Sequence, residues 1–106
     1  MHLITYQVLD TYKEELMHFT STRQGGVSKG EYASLNLSVY AQDKYADVLK
    51  NRKLLAEYLK IPESDLLSMK QIHEDKVKII DKDFKNLSLV ERELALHTYD
   101  ALLTNV

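Results

Sequence analysis

Backbone freedom in this chain is concentrated in two places. All three glycines, Gly25, Gly26 and Gly30, lie close together, and the only proline is Pro62. Glycine reaches positive φ and tolerates close backbone approach, so one tight loop is expected at 23–30. The proline marks the other break. A residue preceding proline disfavours the helical region, so a helix arriving there stops at Ile61. Upstream of it, Val48, Leu49, Leu55, Ala56 and Leu59 form an apolar stripe at helical spacing. The pattern predicts a helix over about Lys44 to Lys60, with Asp43 as its N-cap. Arg52 falls inside the stripe. An unpaired buried charge is costly, so Arg52 is expected to be partly buried and paired with a carboxylate or with backbone carbonyls. The alternative is an arginine whose stem covers apolar surface while its head reaches water.

Around that helix the pattern is extended. Glu15 to Thr22 is rich in threonine and carries Phe19, which favours a strand. Tyr32 to Ser38 reads as extended or loop. Leu66 to His73 alternates, which would put Leu67, Met69, Gln71 and His73 on one face. Glu74-Asp75 is a turn signal, and Lys76 to Ile80 follows as a strand, a natural hairpin partner. Ser88 to His97 has helical spacing in Leu87, Val90 and Leu94. Asp100 to Val106 is a strand pattern whose end is cut off, with an edge at Leu102-Leu103 left to pair. The expected fold is mixed α/β, a layered mixed β-sheet with flanking helices, in a single domain over residues 1–106.

Composition narrows the function classes. A chain of 106 residues suits one domain. The net charge of −2 gives no basic surface for nucleic acid, and the seven tyrosines are dispersed, with no stacking box. No apolar run is long enough to span a membrane. The first residues, Met1-His2-Leu3-Ile4-Thr5, lack a basic start and an apolar core, so no secretory signal is expected and the cytosol is the expected compartment. There is no cysteine, so any metal site would rest on histidines and carboxylates.

Several stretches then line up in order. They are Phe19-Thr20-Ser21-Thr22-Arg23-Gln24-Gly25-Gly26-Val27-Ser28, Tyr32-Ala33-Ser34-Leu35-Asn36-Leu37, Asn51-Arg52 with Leu55, Gln71-Ile72-His73, and Asp100-Ala101-Leu102-Leu103-Thr104. Together they resemble the N-terminal part of the laccase-domain, polyphenol oxidase-like purine nucleoside phosphorylase family. The match covers nearly the whole chain. Two positions depart from the family pattern: Glu74 stands where a small residue often follows the ligand histidine, and Ser21 replaces the first threonine of the opening motif.

The resemblance implies an enzyme that phosphorolyses purine nucleosides such as adenosine or inosine, with adenosine deamination as a further activity. It implies a zinc ion, or copper, of which His73 would be one ligand. The other expected ligands, a cysteine and the histidine of a His-Ala-Gly-Trp segment, are not in this chain. Its partners would be a purine nucleoside, phosphate, and either a further C-terminal segment or a second copy of the chain. Gln71 would orient the ligand or contact the base. Arg23 would hold phosphate through its planar guanidinium, helped by N–H groups of the glycine turn. Asn36 would bind substrate or cap a turn. Two other readings stay open at this point: a non-catalytic binding module, and copper-dependent polyphenol oxidation.

Overall fold

A computed structural model describes residues 1–106. The chain forms two compact units, Met1–Leu66 and Leu67–Val106. The architecture is mixed α/β, as the pattern implied.

The first unit is organised by its longest helix. Its elements are β1 (Leu3–Ile4), the short helix α1 (Gln7–Asp10), β2 (Thr20–Ser21) and α2 (Tyr45–Leu59), with 3-10 turns at Gly30–Tyr32 and Glu63–Asp65. Helix α2 buries Val48, Asn51, Leu55 and Ala56, which recur on one face at helical spacing. Leu35 joins them in the core. The helix ends at Lys60, whose left-handed φ of 60° lets the Ile61 N–H reach back to the Ala56 carbonyl at 3.1 Å. The N-cap position is Lys44, with no side-chain cap. Asp43 is not the cap that its position suggested, because its carboxylate turns to the loops described below.

Arg52 is half-buried. Its guanidinium donates to the carbonyl of Leu37 at 3.1 Å and to that of Leu66. A charge set in an apolar stripe is thus satisfied by backbone carbonyls, as required of it. The strand expected over Glu15 to Thr22 shrinks to β2, paired antiparallel with β1 in the register Leu3↔Ser21 and Ile4↔Thr20. The residues before it continue the turns that follow α1: the N–H groups of Glu15 and Leu16 both bond the Tyr12 carbonyl, at 2.9 and 3.0 Å.

The second unit holds β3 (Val77–Ile80), a 3-10 turn at Asp83–Asn86, α3 (Leu89–Ala95) and β4 (Ala101–Thr104). Strands β3 and β4 run parallel, from Val77↔Ala101 to Ile80↔Thr104. The hairpin expected between Leu66–His73 and β3 does not form, because residues 66–73 make no strand; β3 pairs instead with β4, through a crossover that α3 supplies. Helix α3 opens on a capping box: Ser88 Oγ accepts from the Glu91 N–H, and Glu91 returns a bond to the Ser88 N–H. Leu66 to His73 is not a strand. It makes one isolated bridge, Lys70 to His97. Ile80, Phe84 and Leu96 form the core here, with Leu67, Met69, Leu87, Ala95 and Leu102 against it. Alternation along the strands leaves Val77, Ile79 and Leu103 on the exposed side. No helix is long and apolar enough to cross a membrane.

Phe84 carries this second core and also lies under the Arg92 guanidinium, 5.5 Å from its ring centre. Phe84→Ala is expected to destabilise the Leu67–Val106 unit by about 3 kcal/mol or more, through lost burial plus the cavity left behind. Denaturant unfolding of the two chains checks this. A loss below about 1 kcal/mol, the size of a surface change, would contradict the core assignment.

Candidate functional site

The loop carrying Arg23, Gly25 and Gly26 is built from inside the helix. Asn51 is completely buried on α2. Its Oδ1 accepts from the Val27 N–H at 2.7 Å. Its Nδ2 donates to Ser28 Oγ at 2.8 Å and to the Asn36 carbonyl at 2.9 Å. One amide therefore clamps two loop segments at once. A second tie runs between the segments themselves. The N–H groups of Ser34 and Leu35 both donate to the Arg23 carbonyl, at 2.7 and 2.9 Å, and Ser34 Oγ donates to it as well.

These contacts explain Gly26. A Cβ there would lie 2.1 Å from the Ser34 carbonyl oxygen and 2.6 Å from Asn51 Oδ1. They also alter the expected phosphate cradle. The Gly26 N–H donates to Ser34 Oγ, the Val27 N–H to Asn51, and the Ser28 N–H to the Ser34 carbonyl. Those donors face the protein. What the loop offers outward is the side chain of Arg23, which is exposed.

Asp43 completes the clamp. Its Oδ2 accepts from Ser28 Oγ at 2.5 Å and from Asn36 Nδ2 at 3.2 Å, and its Oδ1 accepts from the Lys44 N–H. The Ser28 hydroxyl is the main reason its pKa lies below the ordinary value. Partial burial opposes the shift, and the Asn36 amide and Lys44 add to it. Asn36 is thus engaged at both ends of its side chain, since its Oδ1 also accepts from the Ser38 N–H.

Gln71 and His73 lie in the second unit, and both are exposed. His73 has φ of 61°, a left-handed conformation unusual for a residue with a side chain. The cause is the Asp100 carboxylate. The Ile72 and His73 N–H groups donate to Asp100 Oδ1 at 2.9 and 2.7 Å, and the Glu74 N–H donates to Asp100 Oδ2 at 2.8 Å. Three consecutive N–H groups curl around one carboxylate, an arrangement that binds anions. Burial pushes the Asp100 pKa up, but the backbone bonds outweigh it and hold the carboxyl below its ordinary value. Gln71 Nε2 reaches the Asp100 carbonyl at 3.4 Å.

The residues present do not make a complete metal centre. No group of three or more histidine, aspartate or glutamate side chains comes together to hold an ion, and zinc sites take three or four protein ligands. His73 offers one imidazole.

Residues 17–106 match the profile of the multi-copper polyphenol oxidoreductase laccase family. The chain belongs to that family. It is 38% identical over 103 residues to a purine nucleoside phosphorylase of Bacteroides thetaiotaomicron, covering 96% of this chain and 37% of that protein. It is 34% identical to adenosine deaminase RL5 from an unknown prokaryotic organism, covering 98% of this chain and 40% of that one. The crystal structure of YlmD from Geobacillus stearothermophilus superposes with a TM-score of 0.65 at 30% identity, over 81% of this chain and 32% of that one. The chain therefore spans well under half the length of the relatives it matches.

For this laccase-family chain, Arg23 and Asn36 fall in the first unit, and Gln71 and His73 fall in the second. Three residues that shape these loops were not singled out as site residues from the sequence: Asn51, Asp43 and Asp100. Asn51 carried a signal, as a polar residue between Val48 and Leu55 on the buried stripe. Asp100 opens the Asp100-Ala101-Leu102-Leu103-Thr104 motif, but nothing local ties it to the His73 loop, because its partners lie 26 to 28 residues away.

Gly26→Ala should destabilise the chain by about 2 kcal/mol or more, because the clash is with backbone. Asn51→Ala should cost about 3 kcal/mol, leaving the Val27 N–H without its acceptor. Thermal or denaturant unfolding checks both, and an unchanged midpoint in either would refute the clamp. Asp43 also predicts a pH dependence. Its folded pKa lies below the unfolded value of 3.8. The unfolded state then binds more protons between the two values, so stability rises with pH there. The contribution is present above the unfolded value and is lost as pH falls through the folded one. Asp43→Asn should therefore flatten the stability profile below about pH 5, where the carboxylate begins to take up protons in the unfolded chain.

Proposed function

We propose that this chain supplies the phosphate-facing loop and one ligand histidine of a metal-dependent purine nucleoside phosphorylase. The observation that carries this reading is the 38% identity to a named purine nucleoside phosphorylase across 96% of the chain. The local geometry is compatible with it. Phosphorolysis needs a cation that grips phosphate, and Arg23 projects an exposed guanidinium from a loop whose backbone is fixed on both sides. A planar fork on a fixed base suits phosphate oxygens.

His73 would be one ligand to zinc, or to copper, in a set completed by residues beyond these 106. Gln71, close along the chain, would contact the base or steady the ligand. Asn36 would act by shaping the loop, since its amide is already shared between Asp43 and Ser38. The substrates would be adenosine or inosine together with phosphate. A second reading rests on the relative named an adenosine deaminase, which matches 98% of the chain at 34% identity. In that reaction water replaces the exocyclic amine, and no phosphate is used.

The test is inosine or adenosine supplied to the natural gene product that carries this chain, with and without phosphate. Phosphate-dependent release of hypoxanthine or adenine is the expected result. Arg23→Ala should then raise the KM for phosphate about tenfold or more, the scale of a lost charge-assisted contact, while moving the KM for nucleoside little. Ammonia released from adenosine without phosphate would favour the deaminase reading. Turnover of neither nucleoside would leave the chain in its family without this activity.

A further inference from the structure

The exposed position of His73 raises a physical question. An exposed side chain on a loop has no packing to fix its direction, yet a ligand or substrate-binding group must hold one. The backbone at 71–74 is not part of a strand. The left-handed φ at His73 carries a cost for a residue with a Cβ. Something outside the loop must hold it there.

Asp100 is the residue in position to do so. It stands immediately before β4, and its half-buried carboxylate accepts from three consecutive N–H groups, those of Ile72, His73 and Glu74, at 2.7 to 2.9 Å. Its backbone is fixed in turn, since the Asp100 N–H donates to the Lys76 carbonyl at 2.8 Å. The geometry requires two acceptor oxygens. Oδ1 takes two of the donors and Oδ2 takes the third.

We propose that Asp100 is the positioning residue for His73: its carboxylate replaces a neighbouring strand as the acceptor for this loop, fixes the left-handed turn, and so sets the direction in which the His73 Cα–Cβ bond leaves the loop. The importance of that direction rests on the function proposed above for His73. The positioning itself does not, and it is tested without any activity.

The experiment uses the full 106-residue chain, isotopically labelled, by nuclear magnetic resonance. In the unmodified chain, couplings across the hydrogen bonds should connect the Ile72, His73 and Glu74 amide nitrogens to the Asp100 carboxyl carbon. Their absence overturns the proposal, whatever the variants do. In Asp100→Asn one acceptor oxygen becomes a donor. Exchange of the three amides should then speed up by about tenfold or more, the effect of losing a charged acceptor. Amides of the β3–β4 ladder should keep their protection, and the His73 one-bond Cα–Hα coupling should lose its positive-φ value and become averaged. Equal loss of protection throughout the second unit would show a general supporting role and overturn the proposal. So would faster amide exchange with an unchanged positive-φ coupling at His73. Asp100→Glu keeps both oxygens and serves if the amide variant does not fold. It should retain the positive-φ coupling at His73, and an averaged coupling in that variant would count against the carboxylate as the cause. Absence of nucleoside turnover by the natural gene product, with these signals intact in the unmodified chain, would refute the function while leaving the positioning in place.

Discussion

A buried amide has no water to fall back on, and Asn51 shows how much structure that requirement can organise. Its side chain has one acceptor and one two-donor end, all inside the protein. The three partners it finds, the Val27 N–H, Ser28 Oγ and the Asn36 carbonyl, lie on two separate loop segments. Helix α2 supplies the rigid base, because Val48, Leu55 and Ala56 bury the same face and fix where Asn51 points. The loops then take their shape from the helix and not from their own propensities. Gly26 follows from this, since only a residue without a Cβ lets Asn51 and the Ser34 carbonyl approach so closely. Asp43 follows too. Ser28 donates to it, Asn36 donates to it, and the ring of bonds closes.

The second unit solves a similar problem with a charge. Leu66 to His73 alternates as a strand would, but a strand needs a neighbour to take its N–H groups. At Ile72, His73 and Glu74 the acceptor is a single carboxylate, and three N–H groups can converge on one point only if the backbone curls. The extended conformation is lost there. Alternation describes which side chains prefer burial, and it says nothing about what the backbone bonds to. The pattern was real, with Leu67 and Met69 packed on the core. The strand was not, because its hydrogen bonds went elsewhere.

That contrast explains what was legible in the sequence. Helix α2 was readable to within a residue at each end, because its stripe and its stop at Pro62 are local signals. Arg52 was readable as half-buried and carbonyl-bonded, because a charge in an apolar stripe has few options. Strands β3 and β4 were placed correctly as segments, but their parallel pairing was missed, since pairing joins residues 24 positions apart, as in Lys78↔Leu102. The family was legible because it rests on short motifs spread along the chain. The roles inside those motifs were harder to read. The glycine turn invited an anion cradle, while three of its N–H groups turn inward. Nothing local reveals which way an N–H points.

In both units the groups that hold main chain are distinct from those that point outward. Asn51, Ser28 and Asp43 hold backbone in the first, and Asp100 holds backbone in the second. Arg23 and His73 remain exposed. In each loop the hydrogen bonds fix main chain, so an outward side chain starts from an anchored backbone and would lose less freedom on meeting a ligand. Such an arrangement tolerates change at the exposed tips better than at the anchors. An altered tip would remove one outward contact, whereas an altered anchor leaves three partners unpaired at once: one N–H, one hydroxyl and one carbonyl at Asn51, and three N–H groups at Asp100. By that argument Asn51 and Asp100 constrain this chain more tightly than the residues whose chemistry first draws notice.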